Sequence, residues 1–153
     1  MMFPLLATIP HPDPMPVPAP LGLTWFLLML TFFLHLLPMN FVLGGSVLSI
    51  ALGGGGDGPR AKLRAFLAKA MPPMIAATVT LGVAPLLLTQ VLYGRLFFSS
   101  SVLMAWPWFS VILLLILGYY AAYLVSFRGD RLEGNRLPVI LLMAVCFLMI
   151  AFF

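Results

Sequence analysis

"LGLTWFLLMLTFFLHLLPMNFVLGGSVLSIAL", residues 21–52, contains no charged side chain. As a helix rising 1.5 Å per residue, this run exceeds the roughly 30 Å of a bilayer's hydrocarbon core. Three further apolar runs follow, at about 74–98 across Pro85, about 102–127 with Pro107 near its start, and 138–153. Backbone amides in lipid must be satisfied internally, which leaves helices or closed barrels. The runs lack the apolar and polar alternation of barrel strands. The sequence therefore predicts an all-α integral membrane bundle of four transmembrane helices, behind a Pro-rich arm at 1–20.

Composition agrees. The chain is 63% hydrophobic and 8% charged, with a mean hydropathy of +1.13. A soluble domain is roughly 45–50% apolar and about 25% charged. The fourth run, at about 24 Å, is shorter than the hydrocarbon core, as expected of a helix that barely crosses or of the front part of a longer protein.

Charge placement predicts orientation. Arg60, Lys62, Arg64 and Lys69 fall between the first two helices, and Arg128, Arg131 and Arg136 between the last two, so seven of the eight basic residues share one side. The positive-inside rule assigns that side to the cytoplasm, with the N-terminus and Arg95 outside. The expected location is the cell inner membrane, as a multi-pass protein. The charge of +4 implies anionic membrane lipids as partners and no nucleic acid. "RAKLRAFLAKAM", 60–71, reads either as a basic amphipathic helix on the leaflet, with Phe66 and Leu67 towards lipid, or as the first turns of a long second helix.

Prolines punctuate the runs. Pro72, Pro73 and Pro138 suit helix starts, where a missing N–H costs little. Pro38 and Pro85 lie inside helices and should kink them. The arm "MMFPLLATIPHPDPMPVPAP" has no basic n-region and too short an apolar run for a secretory signal, and predicts an extended outer-side segment in which His11 is solvated or loop-packed.

The inventory for chemistry is short. The single Cys146 provides no disulfide, no C-x-x-C pair and no covalent haem site. No Asp, Glu, Lys or Arg occupies the middle of a helix, which argues against a proton pump or an ion-coupled transporter. Nothing pairs a nucleophile with a base or clusters carboxylates for a metal, which sets hydrolytic chemistry aside. His35 stands out. A neutral imidazole at membrane depth needs a partner, which is either haem iron or a hydrogen bond to a neighbouring helix. Gly44 and Gly45 would let a macrocycle or a second helix approach. The ten methionines make a second axial ligand available without specifying one.

"HLLPMNFVLGG", 35–45, resembles the first-helix segment of subunit I of cytochrome bd quinol oxidases, in which a glycine follows a haem-ligating histidine nine positions on, as Gly44 follows His35. "LGVAPLLLTQVLYGR", 81–95, is similar to the second-helix stretch of that family, with Gly82, Val83 and Ala84 in its G-V-A and Tyr93-Gly94 at its aromatic end. The resemblance covers the first three helices. It implies His35 as ligand of a haem b, with Gly44 and Gly82 giving room to pack around it. Departures are equally informative: Gln90 stands where the oxidases carry a glutamate, and the third helix has apolar residues and tyrosines, around Leu115 and Tyr123, in place of carboxylates. Oxygen reduction by this chain alone is therefore not expected.

The implied role is a membrane subunit of a respiratory electron-transfer complex that binds haem b and interacts with quinol, beside other membrane subunits and an outer-side cytochrome. Two other classes compete: a non-catalytic anchor for an outer-side redox partner, in which His35 is only hydrogen-bonded, and a small-molecule channel or transporter, which intramembrane charge or an inverted repeat would have favoured. "MAWPWFS", 104–110, reads as an interfacial aromatic belt, or as the wall of a quinone site in which Trp106, Trp108 and Phe109 flank the headgroup and Gln90 or Arg95 supplies a hydrogen bond.

Overall fold

A computed structural model describes residues 19–53, 58–128, 132 and 136–152. His11, Arg131 and all but the last two residues of the arm lie outside them. The described residues form helices and no strand: α1 (Leu21–Leu52), α2 (Pro59–Leu92), α3 (Gly94–Leu103), α4 (Ala105–Arg128) and α5 (Arg136–Phe152). The chain is a membrane protein by these elements, because α1, α2 and α4 are each long and apolar enough to cross a bilayer. α5, with 17 residues, is shorter, at about 25 Å.

The boundaries follow local chemistry. α1 starts behind Pro20, whose carbonyl takes the Thr24 N–H at 3.1 Å, and stops at Gly53, whose φ of +61° suits glycine. α2 starts at Pro59 after Gly58, itself at φ +82°. This proline fills the first helical position, where its ring angle is already helical. The basic stretch therefore forms the first turns of a continuous α2, and Pro72 and Pro73 lie in the helix interior rather than at its start. Leu67 is buried against α1 instead of facing lipid, while Phe66 is exposed. At the far end α2 breaks at Tyr93, so the expected continuation to 98 becomes the separate, wholly unburied α3. The Tyr93 ring meets Trp25 edge-on, with centroids 6.0 Å apart.

The four long helices form a square. α1 packs on α2 and α5, and α4 on α5 and α2; across the diagonals no described stretches of backbone come as close. Packing is closest towards the end that carries the basic connections. There Val42, Met71, Ile75, Ala121, Ala122, Val125, Ile140, Met143 and Phe147 make one core. Small residues allow it. A β-carbon on Gly45 would lie 2.6 Å from the Met71 methyl, and one on Gly118 would lie 3.0 Å from Phe147 Cζ and 3.2 Å from Cys146 Cβ. Lipid tails are as apolar as leucine, so such close contact, and not escape from water, holds membrane helices together.

Candidate functional site

Most polar side chains inside the bundle bond to their own helix. Ser46 donates to the Val42 carbonyl at 2.6 Å, Ser49 to Gly45 at 2.7 Å and Thr89 to Pro85 at 2.8 Å, and exposed Asn40 does the same to Leu36 at 2.8 Å. These back-bonds satisfy the group without a neighbour. His35 differs, because its Nδ1 lies 2.9 Å from the backbone carbonyl of Thr78 on α2. A carbonyl only accepts, so Nδ1 carries the proton, and any lone pair the ring offers is on Nε2.

The sequence of α2 makes that contact possible. Helical geometry commits one lone pair of the Thr78 carbonyl to the N–H four residues on, at Gly82, and leaves the second for the imidazole. A side chain at 82 would cover this oxygen. A β-carbon on Gly82 would stand 2.9 Å from His35 Cε1 and 3.0 Å from Nδ1. The glycine thus hosts the imidazole itself, and the Thr78 hydroxyl turns away, donating to the Met74 carbonyl at 2.8 Å.

Half-buried His35 lines a cavity of about 420 Å³ bounded by all four long helices. Its walls are apolar apart from His35, Thr78 and the indole edge of Trp108; Met39, Leu115 and Phe147 are among the rest. A second cavity, about 320 Å³, lies against α3 and shares Trp108, Val111 and Ile150 with the first. The second is therefore the first one's neighbour on the α3 side. The donor set fits one axial ligand of a haem, with the carbonyl-bound Nδ1–H that fixes a metal-binding histidine's tautomer. Among the described lining residues the other side chain that could donate to iron is Met39, one turn along the same helix.

Of the remaining sequence candidates, Gly44, Gln90, Arg95 and Trp106 line neither cavity. Gly44 is exposed on α1, and a β-carbon there would meet nothing within 4 Å; its neighbour Gly45 makes the helix contact. Gln90 is half-buried, Arg95 is exposed on α3 and Trp106 is 86% exposed. Trp108, by contrast, lines both cavities. Thr78 escaped sequence reading because its contribution is a main-chain oxygen, which every residue possesses. Phe147 and Met39 gave no sign beyond being apolar. Comparison with protein-family models, curated proteins and solved structures finds no match, so the likeness to cytochrome bd rests on the motifs quoted above.

Proposed function

We propose that the chain is a membrane subunit of a respiratory electron-transfer complex and that its own contribution is a site for a flat, redox-active, apolar molecule at His35, with haem b held through Nε2 as the leading occupant. The observation that carries this reading is the Nδ1–H bond to the Thr78 carbonyl, which leaves Nε2 as a fixed lone pair beside an apolar cavity. Iron bound there supplies one-electron chemistry. The chain's part is to orient the imidazole and keep water away. Quinol is the second molecule of the proposal, reaching the cavities from the α3 end past Trp108. His35 is the one imidazole among the described lining residues, which suits a role inside a complex and not that of a self-sufficient oxygen reductase.

The reading includes a multi-pass inner-membrane location with the N-terminus outside, supported by the placement of the basic residues. In a Cys146→Ala background, a cysteine near Arg95 should label from outside intact cells and one near Gly129 should not. The reverse pattern overturns the orientation.

A reduced-minus-oxidised absorbance spectrum of the purified chain tests the site. A b-type α-band that disappears in His35→Ala, with membrane insertion intact, is expected. One observation favours a second reading, the non-catalytic anchor: the Thr78 carbonyl already satisfies the imidazole as a helix-to-helix bond. That reading predicts no α-band and only a small loss of stability in His35→Ala.

A further inference from the structure

At the end of the bundle that carries the basic connections, the start of α2, the last turn of α4 and the first residue of α5 enclose a concavity of about 340 Å³. Three cations from two helices converge on it, Arg64 and Lys69 of α2 and Arg136 of α5, with Ser126 beside them. Alanines 61, 65 and 68 make its α2 wall; at that helical spacing they share a face, which keeps the floor open for a ligand. Arg136 also begins α5, so the positive end of that helix dipole adds to the same field. The depth is specific. The charged residues of α2 end at Lys69, the uninterrupted apolar run begins at Met71, and Phe127 in the pocket wall is 77% exposed on the outside of α4.

We propose that this pocket binds the phosphodiester of an anionic membrane lipid. Guanidinium groups present paired N–H donors that match phosphate oxygens, and Lys69 adds a point charge. The level at which charge gives way to apolar helix is that of lipid headgroups, and the acyl chains would run along the exposed side of α4 past Phe127. A free phosphate would satisfy the same donors, but only the lipid also uses this depth and the apolar exit. Basic pockets between membrane helices are a recurrent form of headgroup recognition. The site is separate from the His35 cavity and does not depend on what that cavity holds.

Native mass spectrometry of the purified, delipidated full chain, titrated with phosphatidylglycerol or phosphatidylcholine and challenged with inorganic phosphate, tests the proposal. Phosphatidylglycerol should bind in preference to phosphatidylcholine, and Arg64→Gln or Arg136→Gln should each weaken it about fivefold. Arg64→Lys, which keeps the charge, should retain most of the binding. Lys62→Gln, on the same helix but outside the pocket, should leave it unchanged. Should an arginine variant fail to fold, exposed Lys69→Gln carries the test. Equal affinity for the two lipids, or equal losses in Lys62→Gln and Arg64→Gln, would reduce the effect to diffuse surface charge and overturn the site. Retention of inorganic phosphate with no binding of phosphatidylglycerol would assign the pocket to a free anion and overturn the lipid.

Discussion

The two halves of the bundle use small residues for opposite ends. Towards the basic connections Gly118, Ala121, Ala122 and Ala144 bring α4 and α5 together around Phe147, and what glycine leaves empty a neighbour fills. In the half that leads to α3, Gly82 also removes a side chain, but the space goes to an imidazole, and a 420 Å³ cavity remains beside it. Phe147 belongs to both halves, as a member of the closed core and a wall of the cavity. A glycine in a membrane helix therefore has no single meaning. Its partner decides whether it closes a contact or uncovers a backbone oxygen.

The sharpest way to break this division is Gly118→Leu. The new side chain would have to displace both the Phe147 ring and the Cys146 β-carbon, and the second belongs to a rigid helix stem. Overpacking of this kind typically costs about 1–3 kcal/mol. Reversible unfolding in mixed micelles should show that loss, and an unchanged midpoint would mean that α4 and α5 are not held as closely as described.

Gly82→Ala comes next. Its methyl would force the ring away from the Thr78 carbonyl, a hydrogen bond worth about 0.6 kcal/mol on average within a membrane. Stability should therefore fall by less than in Gly118→Leu, whereas any haem signal should be lost as completely as in His35→Ala. A variant that kept a full α-band would show that the Thr78 bond does not position the ligand.

These two glycines mark how far sequence reading reached. The long apolar helices, the basic residues gathered at one end of them and the singular His35 were legible because length, charge and burial cost act through composition and need no partner to be known. The extent of α2 was less so: "MPPM" offers two prolines for a helix start, yet Gly58-Pro59 already supplies one, and a helix once begun continues through prolines when neighbours support it. Gln90, Arg95 and Trp106 share the outer end of the topology that charge predicts, and α3 intervenes there: it carries Arg95 on an unburied element and leaves Trp106 facing outwards, while Trp108, two residues on and 43% exposed, lines both cavities. Which of two alternate residues faces inwards depends on where the helix restarts, here at Ala105, and composition does not set that register.

A smaller effect is expected at Gly45. Its added β-carbon would meet the terminal methyl of Met71 at 2.6 Å, the far end of a flexible side chain. Methionine has three rotatable bonds with which to swing aside, so Gly45→Ala should shift the unfolding free energy by no more than about 1 kcal/mol, within the low end of overpacking costs. A loss as large as that of Gly118→Leu would mean that Met71 is locked by the core around it.

The smallest effect, and the most discriminating, belongs to Gly44. Its position nine residues after His35 carries the resemblance to the oxidase segment, yet within this chain a β-carbon there meets nothing within 4 Å. In the isolated protein Gly44→Ala should be neutral, or stabilise α1 by up to about 1 kcal/mol through the entropy that glycine loses in a helix. Measured in native membranes with the other subunits present, the same substitution has a different meaning. If Gly44 serves close packing, its contact must come from another polypeptide or from a bound molecule, and the alanine should weaken assembly or displace that molecule while leaving the purified chain unaffected. Comparing the two preparations by co-purification and by unfolding separates the cases. Neutrality in both would make Gly44 an ordinary lipid-facing glycine and leave Gly82 as the glycine on which the His35 site depends.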